Sequence, residues 1–328
     1  MDSTEKAEVL VIGAGPAGVG VATGLARRGI APVILVDRSE RVGGLPSLYK
    51  RKPGGVPTFV LWTQGRLVFG EQLAEYLAHK LQGSKVEVWT ETQVMEISPT
   101  EKNVTLVNPR LGRLRVSADA VVLACGAREK TAAERGWIFG SRPSGLLFTK
   151  NLLDLMDQGN VHVAFRPVIL GSDLIAHAAS AKLKSAGALD AIMVDRSRRP
   201  DCSLPARFFF GHWARPHYRG GAQAVTVAGT ACVSAVTPAN GDEIRGDVIM
   251  ICGDLVPNTE LALAAKMQVD LASRRAAVRS DYQLSTSGWF AAGNILGNYH
   301  GAEWCYFHGR RVARQVAKYL HRTKPYGK

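Results

Sequence analysis

Hydrophobic and polar positions repeat the same order twice along the chain. In residues 7–29 an apolar run (AEVLVI) leads into a glycine-rich turn and then into small and apolar residues at helical spacing (GAGPAGVGVATGLARRG). Residues 166–187 follow the same order with RPVIL, GSD and LIAHAASAKLKSAG. Each segment is followed by a second apolar run that ends in an aspartate, Asp37 or Asp195. This order predicts two βαβ units with parallel strands, and therefore an α/β protein.

The first of these turns has the spacing G-x-G-x-x-G, which is typical of dinucleotide-binding βα units. The first glycine permits the tight turn, the second lets a pyrophosphate approach the backbone, and the third lets the helix pack closely on the strand. Free N–H groups at the helix N-terminus then favour the bound anion. The predicted phosphate-binding residues are Gly13, Gly15, Pro16, Ala17 and Gly18.

The aspartate that ends the next apolar run supports this prediction. Asp37 lies nineteen residues after Gly18, where a carboxylate is expected to accept a hydrogen bond from a ribose hydroxyl. Strand, turn, helix, second strand and terminal acid thus occur in the order that a nucleotide site requires. Arg38 follows immediately and is included in the predicted cofactor site.

The second turn departs from the glycine pattern at one position. Gly171 and Ala176 occupy the first and third positions, but Asp173 replaces the second glycine. A carboxylate about 4 Å from a phosphate costs about 4 kcal/mol at an effective dielectric constant near 20, which is about a thousandfold in affinity. Asp173 is also placed to cap the following helix. A structural turn, a remodelled site for another ligand, and an NADPH site that uses Arg196, Arg198 and Arg199 all stay open.

Charge and cysteine content narrow the function classes. The 41 basic and 28 acidic residues give a net charge of +13, which favours either a solvated basic surface or an acidic protein partner. No nucleic-acid motif, transmembrane segment or metal-ligand cluster accompanies this charge.

The five cysteines form no C-x-x-C pair, which argues against a dithiol reductase and an iron–sulfur protein. The acidic start MDSTEKAE is a poor signal peptide, so we expect a cytoplasmic protein.

Four segments together resemble the FAD motifs of the flavoprotein disulfide-reductase superfamily, which includes thioredoxin reductases. They are Asp37 followed by RSERVGG with Gly44, the run of residues 84–97 with Val94, the strand ending in Ala124-Cys125-Gly126, and TSGWFAAGN with Gly293 and Asn294. The resemblance implies bound FAD, with the backbone at Val94 against the adenine. Asn294 replaces the usual aspartate, and an asparagine can still hydrogen-bond a ribityl hydroxyl.

The resemblance also implies a domain organisation. Two Rossmann-like, three-layer ββα domains are expected, with the second inserted into the first. The FAD domain is expected to comprise residues 1–150 and 280–328, and residues 151–279 to form a nucleotide-binding-type domain with a degenerate glycine motif.

Further segments resemble a narrower group: the FAD subunits of opine and amino-acid dehydrogenases and the B subunit of hydrogen cyanide synthase. These segments are GAREK (126–130), GSRPSGLLFT (140–149), CGDLVPNTEL (252–261), HGAEW (300–304) and VTLVNP (104–109). The resemblance places Glu303 and Trp304 at a helix N-terminus beneath the flavin, where N–H groups stabilise the charge of reduced flavin. Glu303 is also simply a favourable first-turn carboxylate. His300 and His308 are candidate proton shuttles, each with an ordinary structural alternative.

These observations lead to three hypotheses. The leading one is an FAD-dependent oxidoreductase subunit of a hetero-oligomeric amine, amino-acid or opine-type dehydrogenase or oxidase, whose partner is a second flavoprotein or another acidic protein. The second is an NAD(P)H-dependent flavin reductase that passes electrons to a protein or quinone. The third is a non-catalytic FAD-binding scaffold. The segment at residues 53–62, expected on the substrate side of the flavin, contains no obvious acid, base or nucleophile.

Overall fold

The computed structural model describes residues 3–51, 56–157 and 165–323 of the chain. These residues form two compact units. The first unit takes its described residues from 1–47, 59–128 and 256–328. The second takes them from 48–58 and 129–255. Each unit has its own sheet and its own apolar core.

The elements are numbered in chain order. The strands are β1 (Ser3–Ile12), β2 (Val33–Val36), β3 (Phe59–Leu61), β4 (Arg66–Val68), β5 (Val86–Trp89), β6 (Gln93–Ser98), β7 (Asn103–Asn108), β8 (Gly112–Leu123), β9 (Ala127–Glu129), β10 (Ile138–Gly140), β11 (Leu146–Phe148), β12 (Pro167–Leu170), β13 (Ile192–Val194), β14 (His217–Arg219), β15 (Val225–Gly229), β16 (Val233–Pro238), β17 (Ile244–Arg245), β18 (Val248–Ile251), β19 (Leu255–Pro257) and β20 (Trp289–Ala291). The α-helices are α1 (Pro16–Ala26), α2 (Gly70–Leu81), α3 (Ala132–Arg135), α4 (Thr149–Asp157), α5 (Leu174–Ser185), α6 (Leu204–Phe210), α7 (Glu260–Ala264) and α8 (Ala302–Thr323). Short 3-10 turns cover Leu45–Leu48, Trp62–Gln64 and Gly293–Leu296.

The first unit is built on a seven-stranded sheet with the order β5-β2-β1-β8-β7-β6, in which β20 also pairs with β8. The five strands β5, β2, β1, β8 and β20 are mutually parallel, whereas β6, β7 and β8 pair antiparallel. Helices α1, α2 and α8 cover one face, and β6, β7 and part of β8 contribute to the core on the other. The prediction of a three-layer ββα domain is therefore confirmed.

Small residues let α1 and α8 pack with their backbones close together. A Cβ atom on Gly20 of α1 would overlap the carbonyl oxygen of Tyr306, and one on Gly309 of α8 would overlap the carbonyl oxygen of Ala17. Further along the helices, a Cβ atom on Gly24 would lie 2.7 Å from the Cβ atom of Ala313. The interface therefore requires glycine at these positions, and it holds the start of α8 beside the start of α1.

The second unit contains a five-stranded parallel sheet with the order β11-β18-β12-β13-β14. A four-stranded sheet, β10-β15-β16-β17, packs with it around a common apolar core. Helix α5 connects β12 to β13, which confirms the second predicted βαβ unit.

The chain passes between the units inside β9, after Arg128, and inside β19, after Leu255. These positions lie about twenty residues before the predicted boundaries at 150 and 279, because residues 129–149 already supply strands to the second unit. Residues 48–51 and 56–58 also group with that unit. The buried Lys182 of α5 explains this grouping, since its Nζ donates to the carbonyl of Leu48 at 2.9 Å. No sequence periodicity signals such a long-range contact.

The segment at residues 84–97 differs from its prediction as a single strand. It forms two strands, because Glu91 adopts the left-handed backbone conformation (φ 52°) between them. β5 then pairs with β2, whereas β6 pairs with β7. Among the described residues, no helix is long and apolar enough to cross a membrane.

We expect Gly309→Ala to destabilise the protein by about 1–3 kcal/mol, which is the usual effect of overpacking a core. The added methyl group meets the backbone of α1, and this repulsion outweighs the gain of up to about 1 kcal/mol in helix propensity. Thermal and urea unfolding followed by circular dichroism measure the change. Gly241→Ala is the control, because its Cβ atom would have only Pro238 as a neighbour, at 4.0 Å. Equal stability of the two variants would contradict the packing argument.

Candidate FAD site

The residues predicted to bind FAD lie at one edge of the first unit's sheet. Gly13 follows β1, Asp37 follows β2, Cys125 follows β8, and Gly293 follows β20 soon after its last residue. These strands are parallel, so their carboxyl ends meet at the same edge. Ligands of open α/β sheets bind at this edge.

Two of the three motif glycines are required by the fold itself. Gly13 has a φ of 109°, and a Cβ atom there would lie 2.5 Å from the carbonyl oxygen of Ala124. A Cβ atom on Gly18 would overlap the carbonyl oxygen of Gly13. These glycines bring strand, turn and helix close together, as the sequence predicts.

Gly15 differs from the other two because protein packing does not require its missing side chain. It has an ordinary φ of −71°, and the nearest protein atom to an added Cβ atom is the Cα atom of Gly44 at 3.9 Å. Helix α1 begins here with Pro16 at its first position and with no side chain capping it. The N–H groups of Ala17 and Gly18 are therefore left for a ligand. An accessible backbone beside an uncapped helix N-terminus fits a pyrophosphate.

Asp37 holds the glycine turn in place. One carboxylate oxygen accepts a hydrogen bond from the N–H of Ala14 at 2.6 Å, and the other accepts from the N–H of Ser39 at 2.8 Å. A carboxylate has about four acceptor positions, so Asp37 can still accept from a ribose hydroxyl. The neighbouring Arg38 side chain is exposed.

The second glycine pair continues the same surface. The N–H of Gly43 donates to the carbonyl of Ala14 at 2.9 Å, and Gly43 and Gly44 both have positive φ, at 124° and 63°. A Cβ atom on Gly44 would lie 3.0 Å from the Cα atom of Gly15. Val94 lies in β6, where its carbonyl accepts from the side-chain amide of Gln93 at 3.2 Å.

Cys125 and Gly126 are fixed by a residue that sequence reasoning missed. The side chain of Asn258 donates to the carbonyl of Cys125 at 2.8 Å, and its N–H donates to the carbonyl of Gly126 at 3.0 Å. Gly126 has a φ of 69°.

Burial, reinforced by the charge of Asp37, raises the pKa of the Cys125 thiol to about 12. Cys125 is therefore a protonated structural thiol at neutral pH and not a redox nucleophile.

Asn294 binds the chain that leads into α8. Its Oδ1 accepts from the N–H of His300 at 3.1 Å and from the thiol of Cys305 at 3.3 Å, while its Nδ2 donates to the carbonyl of His300 at 3.3 Å. Both acceptor positions of Oδ1 are thus used within the chain. Only the second hydrogen of Nδ2 is left for a ribityl hydroxyl, so Asn294 would act toward it as a donor.

His308 is a buried hydrogen-bond acceptor within α8. Its Nδ1 accepts from the N–H of Gly293 at 3.1 Å, and its ring stacks on Trp304 with 4.9 Å between centroids. Burial, together with the nearby Arg311 and His300, lowers the pKa of His308 to about 4. The imidazole is neutral at pH 7, which favours the structural alternative for His308 over a proton shuttle. The proton-shuttle prediction for the exposed His300 stays a prediction.

Glu303 lies in the first turn of α8 and is only 8% exposed. Its carboxylate accepts from the hydroxyl of Thr63 at 2.5 Å and from the N–H of Thr63 at 3.3 Å. Thr63 was not predicted, because no local motif marks it. The adjacent segment at residues 53–62 was expected on the substrate side of the flavin. It is described only in part, since residues 53–55 lie outside the described residues. Trp304 is 42% exposed and also packs on His300, with 3.7 Å between ring centroids.

The second βα turn is closed by its own side chain. Asp173 is the N-cap of α5, and its Oδ1 accepts from the N–H of Ala176 at 2.9 Å, which confirms the predicted cap. The carboxylate also fills the space beside Gly253, where a Cβ atom would lie 2.5 Å from Oδ2. Burial raises the pKa of Asp173. The position at which a phosphate would contact the backbone is occupied by a carboxylate.

Three segments that carry the narrower resemblance meet beside this turn. The Glu129 carboxylate accepts from the hydroxyl and N–H of Thr149 at 2.5 and 3.0 Å, and from the N–H of Gly253 at 3.2 Å. The buried Arg135 donates to the carbonyls of Cys252 and Gly253 at 3.1 and 2.5 Å. Burial also raises the pKa of Glu129. We call Glu129, Thr149, Arg135 and Gly253 the Glu129 cluster.

The aspartate after β13 is also bonded within the chain. Asp195 accepts from the hydroxyl of Ser172 at 2.5 Å and from the N–H of Ser197 at 3.1 Å. The side chains of Arg196, Arg198 and Arg199 are exposed. No group of three or more His, Cys, Asp or Glu side chains in the described part of the chain is arranged to hold a metal.

We expect Gly15→Ala to weaken FAD binding at least about tenfold, or about 1.4 kcal/mol, without unfolding the protein. The protein itself leaves room for the added methyl group, but the methyl group would occupy the space in which a pyrophosphate contacts the backbone. The absorbance ratio at the flavin and protein bands, with circular dichroism as a folding check, measures the effect. Gly241→Ala should retain the flavin. Full flavin occupancy in Gly15→Ala would contradict this assignment.

Comparisons with solved structures agree with this geometry. The thioredoxin reductase of T. acidophilum superposes with a TM-score of 0.77 at 19% identity, over 98% of this chain and 100% of that one. The L-proline dehydrogenase of P. horikoshii gives 0.70 at 18% identity over 97% of this chain and 56% of that one. The NAD-dependent persulfide reductase of A. fulgidus gives 0.71 at 20% identity over 94% and 59%.

These identities establish a shared fold, and this chain spans little more than half the length of the last two proteins. No curated protein sequence matches the chain. The pyridine nucleotide-disulphide oxidoreductase family, whose members bind FAD, matches residues 7–315. The chain therefore belongs to the pyridine nucleotide-disulphide oxidoreductase family and is an FAD-dependent oxidoreductase.

Proposed function

We propose that this chain is the FAD-bearing subunit of a hetero-oligomeric dehydrogenase or oxidase that oxidises a C–N bond in an amine, amino acid or opine-type substrate. Bound FAD supplies the redox chemistry by accepting a hydride. The observation that carries the proposal is the contrast between the two βα turns. The turn at Gly15 leaves its helix N-terminus open, whereas the turn at Asp173 caps its own helix.

The second turn disfavours NAD(P)H as the electron donor for two reasons. The ionised Asp173 would repel a pyrophosphate by about 4 kcal/mol at 4 Å, and its side chain fills the space at Gly253. The neighbouring Glu129 adds a second carboxylate to the same region, since the charge of Asp173 contributes, after burial, to the raised pKa of Glu129. A dinucleotide carries negative charge and would meet both. An organic donor or a partner protein is then the better source of electrons.

The sites of the thiols also argue against dithiol chemistry. The five cysteines are all free, and burial raises the pKa of both Cys125 and Cys305 to about 12. Burial likewise raises the pKa of Cys252 well above its ordinary value. Disulfide exchange requires a thiolate, which these environments disfavour. An organic C–N substrate needs no thiol, and the similar fold of an L-proline dehydrogenase supports this substrate class.

The chain's own residues have defined tasks in this proposal. The turn at Gly15 and Asp37 binds the adenosine and pyrophosphate portions. The first turn of α8 would hold the flavin end, where its free N–H groups would stabilise negative charge. Thr63 fixes the carboxylate of Glu303 at that turn, so that it cannot rotate freely.

The partner prediction has a candidate surface on α6. Leu204 and Phe208 of this helix are 74% and 77% exposed, which is unusual for large apolar side chains. Exposed arginines flank it along the chain, namely Arg196, Arg198, Arg199, Arg207 and Arg215. An apolar patch with a basic rim fits a partner that presents an apolar centre and an acidic rim, in agreement with the net charge of +13.

One alternative has support of its own. An NAD(P)H-dependent flavin reductase is favoured by the fold shared with an NAD-dependent persulfide reductase and by the exposed arginines after Asp195. A non-catalytic FAD scaffold is the third possibility. Anaerobic titration of the flavin with nucleotide distinguishes the flavin reductase from the other two.

We expect NADH and NADPH at micromolar concentrations to leave the flavin absorbance of the wild-type protein unchanged under anaerobic conditions. Asp173→Gly removes the charge and the bulk, costs only a few tenths of a kcal/mol in helix capping, and should increase nucleotide affinity at least about a hundredfold, within the roughly thousandfold penalty estimated for the carboxylate. Nucleotide binding is followed by calorimetry, and flavin bleaching by absorbance. Asp190→Asn is the control, because it removes a carboxylate elsewhere in the same unit. Rapid bleaching of the wild-type protein would establish the flavin-reductase alternative instead.

We expect Phe208→Asp to reduce recovery of an acidic partner subunit at least about tenfold, since one central apolar residue is worth about 1.4 kcal/mol or more. The tagged chain is isolated from its native cells, and native mass spectrometry gives the subunit stoichiometry. Raised salt should dissociate the wild-type complex, and the intact complex should show amine-dependent flavin reduction. Leu271→Asp is the control, because Leu271 is 82% exposed in the first unit. A partner retained by Phe208→Asp, or a complex inert toward amines, would contradict the proposal.

A further inference from the structure

The first unit contains a cavity of about 520 Å³ that the FAD motifs do not account for. It lies between residues 270–282 and the outer face of α8. Its volume is within the range of about 300–1,000 Å³ that is typical of small-molecule sites. The residues that give it its chemistry are Arg275, Tyr282, Leu296, Trp304, His308 and Arg311.

Two guanidinium groups give this cavity a positive wall. Arg275 and Arg311 are exposed, and neither guanidinium group forms a hydrogen bond or a close ion pair with any residue that the structure describes. The one acidic lining residue, Asp270, already accepts from the N–H and hydroxyl of Ser273, both at 2.8 Å. The cationic groups therefore outnumber the carboxylate, whose pKa is lowered by the hydrogen bonds from Ser273 and by the charge of Arg275.

His308 adds a neutral donor. Its Nδ1 accepts from the N–H of Gly293, so the proton of the neutral ring lies on Nε2. No hydrogen-bond partner of Nε2 is found among the described residues, and this atom is not among the buried groups without a partner. It is therefore available to a ligand of the cavity.

Flat apolar groups form the rest of the wall. The indole of Trp304 is 42% exposed, and the ring of Tyr282 packs edge-on against His308 with 5.0 Å between centroids. Leu296 completes this side. Aromatic walls with a small number of convergent polar donors are typical of sites for organic molecules rather than for inorganic ions.

We propose that this cavity, which we call the arginine cleft, binds an organic carboxylate with an aromatic or apolar body. Arg275 and Arg311 hold the carboxylate, and guanidinium groups suit this geometry because they donate two parallel hydrogen bonds. The rings of Tyr282 and Trp304 bind the apolar body. Of its lining residues only Gly293 and Trp304 belong to the predicted cofactor site, so the arginine cleft adjoins that site and is defined by Arg275, Arg311 and Tyr282, which lie outside it.

Calorimetry on the FAD-loaded protein tests this site with three probes: phenylacetate, its neutral analogue phenylacetamide, and inorganic phosphate. We expect phenylacetate to bind at least about tenfold more tightly than either of the other two, because only it has both the charge and the apolar body. Loss of both guanidinium groups in Arg275→Gln/Arg311→Gln should weaken phenylacetate binding at least about tenfold. Trp304→Leu should weaken phenylacetate binding without changing the affinity for phosphate.

The matched control is Arg314→Gln, which removes a charge from an exposed position of the same helix outside the cleft. It should leave phenylacetate binding unchanged. Circular dichroism and flavin absorbance verify that each variant is folded and loaded. Equal binding of phenylacetamide, equal losses in Arg314→Gln and the double variant, or no phenylacetate binding at millimolar concentration would each overturn the proposal. Tighter binding of phosphate than of phenylacetate would show a simple anion site instead.

Discussion

The N-terminus of a helix has free N–H groups that can bind either an external anion or a side chain of the same chain, but not both at full strength. The two βα turns of this protein differ in this choice. At Gly15 no side chain caps the helix, and the backbone surface beside it stays open. At Asp173 a carboxylate accepts from the N–H of Ala176 and fills the adjacent space. The same local architecture thus serves cofactor binding in one unit and structural stability in the other.

Close helix packing makes the first site usable over its full length. FAD is a long molecule, so its site needs a phosphate-binding end and a flavin-binding end at a fixed distance. The proposed phosphate-binding end lies at the start of α1, and the proposed flavin-binding end at the start of α8. Because Gly20 and Gly309 bring the two helix backbones into contact, neither helix can slide without a steric clash. Asn294 then fixes the chain that enters α8, through His300 and Cys305. Its amide oxygen is committed to this task and one hydrogen of Nδ2 stays available, so Asn294 differs from an aspartate in being a donor there as well as in charge.

The sequence is informative wherever a function depends on a local pattern. The βαβ order, the phosphate turn and the cap at Asp173 all follow from neighbours in the chain, and the structure has each of them. The rest depends on contacts that no local pattern encodes. Thr63 meets Glu303 across 240 positions of sequence, and Lys182 reaches Leu48 across 134. Asn258 likewise fixes Cys125 from a distant loop. The break at Glu91 was missed because both halves of that segment have strand composition, and only their different partners separate them.

Family membership and the second turn together restrict how electrons can reach the flavin. Members of this family are associated with two donors, pyridine nucleotides and thiol pairs. In this chain Asp173 occupies the position of the second motif glycine. Burial raises its pKa, but its Oδ1 accepts a hydrogen bond from the first turn of α5, so protonation alone would not open the turn. The buried thiols of Cys125 and Cys305 resist ionisation and lie in sequence contexts with no neighbouring cysteine. These two features are the reason why we propose a donor that approaches the flavin directly, as a small molecule or through a second subunit. The Glu129 cluster explains why a carboxylate stands at this turn. Arg135 and Glu129 hold the backbone at Gly253, and the Asp173 carboxylate fills the space beside it. Without that carboxylate a gap would remain next to this backbone.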